Sequence, residues 1–423
     1  MNILWLVNVP LPEASVLMGE RPTPFGGWLV NASTDLVVQE DIKLSIAFPK
    51  QKIKDVQILE GKEINYYSFP RVRNKNSNEK NEYLTKIIKQ VKPDIIHIFG
   101  TEYAHTLDMV SICKEENLNV VISIQGLVSI YAKHYMACLP GKIQKRFTFR
   151  DFIKQDNLIQ QQKKFEKRGD LEIEAIRQTK HVIGRTTWDK ACTTQINPNV
   201  QYHFCNETLR EEFYKHTWSL DNCQEYSIFV SQGSYPIKGL HFVIEAMPLV
   251  LRKYPNAKLY IGGQDITKSN TFGDKLKITS YGKYIKELIL KYKLQENVEF
   301  TGVLNEEQMC ERYLRSNVFV CPSSIENSPN SLGEAMILGL PCIASDVGGV
   351  SDLLVHGQEG FIYQTDAPYM LAYYINEIFS RKERASDLAK KARRRAMITH
   401  NRTENTQKII SIYENIIKND DFS

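Results

Sequence analysis

The chain has 423 residues, a length that predicts more than one domain, most simply two of about 200 residues each. Its apolar fraction of 42%, charged fraction of 24% and net charge of +5 are ordinary for a globular protein, and they exclude a disordered chain and a strongly basic nucleic-acid-binding domain. No apolar run approaches the ~20 residues that span a bilayer, and residues 2–7 are interpreted as a first buried strand rather than a signal peptide.

The first half of the chain alternates apolar strands with helices. The predicted strands cover 2–7, 44–48, 64–68, 95–99, 120–124, 181–185 and 202–205, and the predicted helices cover 29–38, 81–91, 106–115 and 172–179. Apolar strands that end in small or polar residues and alternate with helices are typical of a parallel, doubly wound sheet.

The alternation restarts after a polar stretch at 215–225. The predicted strands here cover 227–230, 257–262, 298–301, 318–321 and 341–345, the predicted helices cover 239–254, 281–292, 306–316 and 332–338, and the chain is helical from Tyr369 onward. The fold class predicted is therefore α/β, with two Rossmann-like doubly wound domains facing each other across a cleft.

Several polar and glycine-containing segments follow directly after predicted strands. They are Gly26-Gly27, Gly100-Thr101-Glu102, Gln125-Gly126, Gln232-Gly233, Gly262-Gly263 and Glu326. Ligands of open α/β sheets bind beyond the carboxyl ends of the strands, so we expect these segments to line one cleft.

The most informative segment is the strand-to-helix turn between Glu326 and Glu334, which follows the predicted strand 318–321. Such a turn directs backbone N–H groups and the positive end of a helix dipole to one point, and this suits phosphate. The carboxylates on either side can accept hydrogen bonds from sugar hydroxyls. The turn therefore predicts a site for a sugar joined to a diphosphate. The alternative is that Glu326 and Glu334 are two solvated side chains, one on a loop and one on a helix, that bind no ligand.

These residues resemble a family. The turn Glu326-x7-Glu334 and the following stretch 339–349 are similar to the signature of family-4 retaining glycosyltransferases of the two-Rossmann (GT-B) fold. Gly26-Gly27, residues 93–97, Lys238-Gly239 and residues 357–361 match further family elements, so the resemblance covers nearly the whole chain. Residues 183–189 and 206–210 look like the type that builds bacterial surface polysaccharides.

The resemblance implies roles for the donor-side residues. Glu326 would contact sugar hydroxyls, Glu334 the nucleotide ribose, and Lys238 the diphosphate. Gln232, the third catalytic candidate beside Glu326 and Lys238, would supply a hydrogen-bond donor without a charge. The resemblance also implies a set of donor-binding loop residues: Asn327, Ser328, Pro329, Asn330, Ser331, Leu332, Gly26, Gly27, Gly233 and Gly263.

The acceptor-side candidates are Gln125, Gly126, Glu102, His105 and Arg185. The chain departs from the family pattern in two places. Gln232 and Gly233 stand where an arginine is common, and Gln125 stands where many relatives have a histidine. His97, inside an apolar strand, is either a core histidine or a catalytic one.

The implied domains are 1–213 on the acceptor side and 214–399 on the nucleotide-sugar side, with a C-terminal helix at 400–423 crossing back to pack on the first. No metal and no cofactor besides the donor substrate are expected, and no Asp-x-Asp motif is present. The eight cysteines are scattered without a Cys-x-x-Cys pair, which favours core positions in a reducing cytoplasm over disulfides or a zinc site.

A basic segment at 142–168 interleaves nine Lys and Arg residues with phenylalanines. It predicts either a peripheral contact with anionic membrane at the inner face or a solvated helical hairpin.

The function predicted is transfer of a sugar from a nucleotide-diphosphate donor, expected to be a UDP-sugar, to a saccharide or lipid-linked glycan with retention of configuration. The alternatives are a nucleotide-sugar epimerase on the same fold and a non-catalytic nucleotide-sugar-binding subunit of a transferase complex. An epimerase would convert the donor without an acceptor, and Gln232 is the feature that favours the non-catalytic subunit.

Overall fold

The structure of the protein, a computed structural model, describes residues 1–22, 26–71, 81–269 and 271–420. The chain forms two compact units. The first comprises Met1–Ser129, Lys167–Arg210 and His400–Ser423, and the second comprises Ile130–Glu166 and Glu211–Thr399.

The first unit is built on one mainly parallel sheet. Its strands are β1 (Asn2–Leu6), β2 (Lys43–Lys50), β3 (Gln57–Glu60), β4 (Asn65–Pro70), β5 (Ile95–Phe99), β6 (Val120–Ser123), β7 (His181–Gly184) and β8 (Gln201–Phe204). The spatial order is β3-β4-β2-β1-β5-β6-β7-β8, and β3 alone pairs antiparallel, at the edge. The order reverses direction between β1 and β5, which defines the switch point of this sheet.

The helices up to the start of the second sheet are as follows: α1 (Pro12–Leu17), α2 (Gly27–Val37), α3 (Glu82–Val91), α4 (Ala104–Glu116), α5 (Val128–Tyr131), α6 (Gly141–Gln144), α7 (Phe149–Lys154), α8 (Leu158–Gln178), α9 (Thr187–Ile196) and α10 (Glu212–Lys215). The last helix of the chain, which we number α19 (Arg402–Asp420), belongs to the first unit. Its Ile412, Tyr413 and Ile416 join the core formed by β1, β2 and α2. The predicted packing of the C-terminal helix on the first domain is confirmed.

The second unit has a fully parallel sheet. Its strands are β9 (Ser227–Val230), β10 (Lys258–Ile261), β11 (Val298–Phe300), β12 (Val318–Cys321), β13 (Cys342–Ser345) and β14 (Phe361–Tyr363). Helices α6, α7 and α10 belong to this unit, and the helices after β9 are α11 (Leu240–Leu251), α12 (Phe272–Lys277), α13 (Ser280–Lys291), α14 (Glu306–Leu314), α15 (Asn330–Leu338), α16 (Val350–Leu353), α17 (Pro368–Ser380) and α18 (Lys382–Thr399).

The order β11-β10-β9-β12-β13-β14 is that of a Rossmann fold, with the switch point between β9 and β12. Every residue of β9, β12 and β13 is buried, as expected for strands covered by helices on both faces. The prediction of two Rossmann-like α/β domains is confirmed.

The units differ from the predicted domain bounds in two segments. Residues 130–166, which we had placed in the first domain, group with the second unit, and so do residues 211–213. Two buried hydrogen bonds show why: His241 contacts the carbonyl oxygen of Ala137 at 2.8 Å, and Ser280 donates to Asp151. Residues 130–166 lie between β6 and β7 in the sequence, and we call them the inserted segment. The inserted segment thus contributes to the unit that holds the Glu326 turn.

No helix in the described ranges is both long enough and apolar enough to cross a bilayer.

Candidate active site

Three loops of the second unit meet at the switch point of its sheet. The loop after β9 carries Lys238, the loop after β12 carries Glu326, and the loop after β13 carries Gly348. Because β9 pairs with β12 and β12 with β13, their carboxyl ends lie side by side. Sheet topology therefore joins residues that are 88 positions apart in the sequence.

The centre of this site is an ion pair between Lys238 and Glu326. Lys238 Nζ lies 2.5 Å from Glu326 Oε1, and the hydroxyl of Ser323 donates to the same oxygen at 2.8 Å. The side chain of Lys238 is 22% exposed and that of Glu326 is 9% exposed. Burial alone would lower the pKa of Lys238, but the negative charge of Glu326 outweighs it, so the pKa of Lys238 is raised and its ammonium stays charged.

The backbone around Glu326 is fixed by glycines that allow very close approach. A Cβ on Gly348 would lie 1.9 Å from the carbonyl oxygen of Glu326, and the N–H of Gly349 donates to that oxygen at 3.0 Å. A Cβ on Gly239, whose φ is +68°, would lie 1.8 Å from the carbonyl oxygen of Pro322. No larger residue fits at either glycine without moving the loop.

The inserted segment also touches this turn. The hydroxyl of Tyr131 accepts a hydrogen bond from the backbone N–H of Asn327 at 3.0 Å, and the hydroxyl of Ser324 donates to the carbonyl oxygen of His134 at 3.3 Å. Burial and the nearby charge of Glu326 raise the pKa of Tyr131, so its hydroxyl remains protonated. Tyr131 thus holds the turn by a hydrogen bond from a segment 196 positions away in the sequence.

Replacing Tyr131 with phenylalanine removes this hydrogen bond while keeping the ring. We expect the free energy of unfolding to fall by about 1 kcal/mol, because the turn is less tightly held. Urea unfolding measures this effect. Tyr369→Phe, at an exposed position of the same unit, is the control and leaves the free energy of unfolding unchanged. Equal stability of Tyr131→Phe and the wild type would contradict a role for this hydroxyl.

The other donor-side candidates surround the same three strand ends. Glu334 is 5% exposed on α15, whose first turn contains Asn330, Ser331 and Leu332 after the N-cap Pro329. Asn327 and Ser328 are buried in the turn before it.

The loop after β9 and the end of β10 supply the remaining candidates of this unit. Gln232 is exposed and Gly233 is buried, where a Cβ would meet Leu240 at 2.7 Å. Gly263 has a φ of +101° with open space around it.

In the first unit, Arg185 is held inside an internal cluster. Its guanidinium lies 2.5 Å from Glu207 Oε2 and donates to the carbonyl oxygens of Ile124 and Gln125, and its side chain is 4% exposed. The amide of Gln125 donates to the other oxygen of Glu207 at 2.6 Å. Arg185 and Glu207 line a cavity of about 40 Å³ whose other walls are mostly apolar.

Two further candidates lie beyond β5 in the first unit. His105 contacts the amide oxygen of Asn8 at 2.8 Å, and burial, aided by the charge of Arg71, lowers its pKa to about 4. It is therefore a neutral imidazole at neutral pH. Glu102 is partly exposed, with Arg168 4.0 Å away.

The remaining candidates of this unit are glycines. Gly126 follows Gln125 and is partly exposed. Gly26 caps α2 with a φ of +77°, and a Cβ on Gly27 would lie 2.9 Å from the side chain of Arg210.

His97 is a structural residue. Its two ring nitrogens lie 2.6 Å from the Tyr413 hydroxyl and 2.7 Å from the Ser123 hydroxyl, and burial lowers its pKa to about 3. The indole N–H of Trp5 also donates to Tyr413. This network ties α19 to β1, β5 and β6, which agrees with the core interpretation of His97.

Sequence reasoning did not identify Ser323, Tyr131 or Gly348 as parts of the site, and it left Glu207 without a role. Ser323 lies just before the signature turn and Gly348 lies within the stretch 339–349, so the local sequence offered a signal for them. Tyr131 offered none, because its contact with Asn327 spans 196 positions.

Comparisons with known proteins agree with this geometry. Residues 211–395 match the family described as glycosyl transferases group 1. The chain is 29% identical to spore coat protein SA of Bacillus subtilis over 44% of this chain and 48% of that protein, so it spans about half the length of this curated relative. It is 27% identical to an uncharacterized glycosyltransferase of Methanocaldococcus jannaschii over 73% of this chain and 69% of that protein.

Solved structures match over nearly the whole chain. A sucrose-phosphate synthase from Thermosynechococcus elongatus superposes with a TM-score of 0.70 at 16% identity, over 99% of this chain and 100% of that one. HepE of Anabaena in complex with UDP-glucose superposes with a TM-score of 0.67 at 15% identity, over 98% and 99%. These likenesses show the GT-B fold. The residues that match the family model, 211–395, include Lys238, Glu326 and Glu334.

Proposed function

We propose that this protein transfers a sugar from a nucleotide-diphosphate donor, a UDP-sugar, to a saccharide or lipid-linked glycan acceptor, with retention of anomeric configuration and without a metal. The proposed enzyme is a cytoplasmic family-4 transferase of the type that builds surface polysaccharides. The observation that carries it is the largely buried Lys238–Glu326 pair at the switch point, shortly before the N-terminus of α15.

The charges of the site suit the chemistry of this reaction. Glycosyl transfer breaks the bond from the anomeric carbon to a phosphate oxygen, so positive charge develops on the sugar and negative charge on the departing diphosphate. Lys238 supplies a fixed cation, and the first N–H groups of α15 supply the positive end of a helix dipole. Preorganised groups of this kind stabilise the leaving group most where water is excluded.

Glu326 has two roles in this proposal. Its carboxylate holds Lys238 in place before the donor binds, and it then accepts hydrogen bonds from sugar hydroxyls. Glu334, which lies on α15, would accept a hydrogen bond from the ribose. In a retaining transfer of this type the departing phosphate takes the acceptor's proton, so no side-chain base is needed.

The nucleotide is proposed by analogy with the comparisons. The HepE structures contain UDP or UDP-glucose, and they share the fold of this chain. The acceptor side is proposed to lie on the first unit, at Glu102, His105, Gln125 and Gly126. Arg185 supports Gln125 through Glu207 instead of facing a ligand itself.

Thermal shift with nucleotides tests the donor site. Saturating UDP is expected to raise the melting temperature of the wild type by about 5–10 °C, since binding at a hundred times Kd stabilises by about 2.7 kcal/mol. Glu334→Ala should lose most of this response. Glu377→Ala removes a carboxylate that pairs with Arg381 in the same unit, and it is the control that keeps the response.

The products separate the alternatives. Incubation with UDP-glucose without acceptor should release UDP slowly, as expected of a transferase that hydrolyses its donor. Conversion to another UDP-sugar would instead indicate an epimerase, and binding without turnover a non-catalytic subunit. No melting response to UDP, ADP or GDP would contradict the nucleotide-sugar assignment altogether.

A further inference from the structure

An exposed apolar patch lies on the second unit. It is formed by the segment 147–153 and by Phe272 at the start of α12, and we call it the aromatic patch. Its members are Phe147, Phe149, Phe152, Ile153 and Phe272, which are 57%, 54%, 73%, 59% and 77% exposed. Large apolar side chains gathered at one surface mark an interaction site far more often than single exposed ones do.

The patch is formed by two segments that are far apart in the chain. Helices α7 and α12 pack against each other, although about 120 residues separate them. Phe272 lies far outside the basic segment 142–168, so the sequence pattern of that segment does not include it. The convergence of two independent segments on one apolar surface indicates that the patch is a feature of the fold.

The inner side of α7 is firmly anchored. Asp151 is fully buried, caps α7 through Thr148 and accepts a hydrogen bond from Ser280 at the start of α13. Arg146 forms an ion pair with Glu287 at 2.9 Å. The phenylalanines therefore stay outside because polar groups of the same segment occupy the inner side.

Basic residues accompany the patch. Lys142, Lys145 and Lys154 are exposed around α7, and Lys268, Lys275 and Lys277 are exposed around α12. Asp151 is buried, and Asp274, which caps α12 and interacts with Lys268 and Lys277, is outnumbered by the six lysines. Exposed aromatic side chains beside lysines suit the boundary of an anionic bilayer, where rings enter the acyl region and ammonium groups meet phosphate.

We propose that the aromatic patch is a peripheral docking surface for anionic lipid bilayers. The aromatic and aliphatic side chains insert at the headgroup level, and the six lysines neutralise lipid phosphates. This placement would hold the second unit at a membrane whether or not the transferase assignment is correct, because it depends only on exposure and charge.

Vesicle sedimentation tests the proposal. The full chain should bind vesicles of phosphatidylcholine mixed with phosphatidylglycerol, and bind phosphatidylcholine alone much more weakly. Raising the salt concentration should release it, because screening shortens the reach of the lysine charges. Lys154→Gln and Lys275→Gln should each weaken binding about fivefold. The triple variant Phe149→Ser, Phe152→Ser and Phe272→Ser should abolish it.

Matched variants control for nonspecific effects. Tyr369→Ser with Ile398→Ser removes exposed apolar side chains from α17 and α18, and Lys382→Gln with Lys390→Gln removes exposed charges from α18. Both should bind vesicles as the wild type does, and all variants should melt at the same temperature because the replaced side chains are exposed. Wild-type sedimentation that is absent, that is equal on both vesicle types, or that survives in the triple variant would overturn the proposal.

Discussion

Replacing Lys238 with methionine is expected to lower the rate of UDP release from UDP-glucose by about 100- to 1000-fold, because removal of one preorganised charge partner of a leaving group costs about 3 kcal/mol in the transition state. The same change should lower the free energy of unfolding by about 3 kcal/mol, since it leaves the carboxylate of Glu326 buried without its cation. Rates of UDP release and urea unfolding measure the two effects separately.

A double variant distinguishes a catalytic charge from a structural one. Lys238→Met combined with Glu326→Gln removes both charges, so most of the lost stability should return while the rate stays low. Lys391→Met, which breaks an exposed pair with Asp387 at 2.7 Å, is the control and should cost less than 1 kcal/mol with no change in rate. Recovery of the rate together with stability would show that the pair only maintains the fold.

Replacing Gly239 with alanine is the second large effect. The new Cβ would lie 1.8 Å from the carbonyl oxygen of Pro322, a backbone atom that cannot move without displacing the turn that carries Glu326. The φ of +68° adds about 1–2 kcal/mol of backbone strain. We expect a loss of more than about 3 kcal/mol in unfolding free energy, and no melting response to UDP.

Gly302→Ala separates the close approach from the backbone strain. Gly302 has a φ of +77° in the same unit and has nothing within 4 Å of its would-be Cβ. Gly302→Ala should therefore lower the free energy of unfolding by the backbone strain alone, about 1–2 kcal/mol, and keep the melting response to UDP. If both alanine variants lose equal stability, the contact with Pro322 is not what constrains the loop.

Local sequence predicted the elements of the site well because their signals are local. The apolar runs at 227–230, 318–321 and 342–345 are strands, and the turn with its two glutamates leads into a helix. Two strands were missed. Edge strand β3 has mostly exposed residues and no apolar run, and β14 has only three residues.

Other features depended on contacts between distant segments. Residues 130–166 lie between β6 and β7 of the first unit in the sequence, and only the hydrogen bonds of Ala137, Tyr131 and Asp151 show that they belong with the second unit. Arg185 has the side chain expected of an anion-binding residue, but Glu207 and two carbonyl oxygens already occupy its guanidinium.

The amino-acid sequence by itself determined the α/β class, the two-domain organisation and the turn around Glu326, because hydrophobic periodicity and turn residues act over a few positions of the chain. Only the tertiary structure decided that Lys238 pairs with Glu326, that Tyr131 supports the turn and that Phe272 joins the aromatic patch. The physical reason is that strand order and helix packing bring together residues from distant segments, and no pattern within a single segment encodes its eventual neighbours.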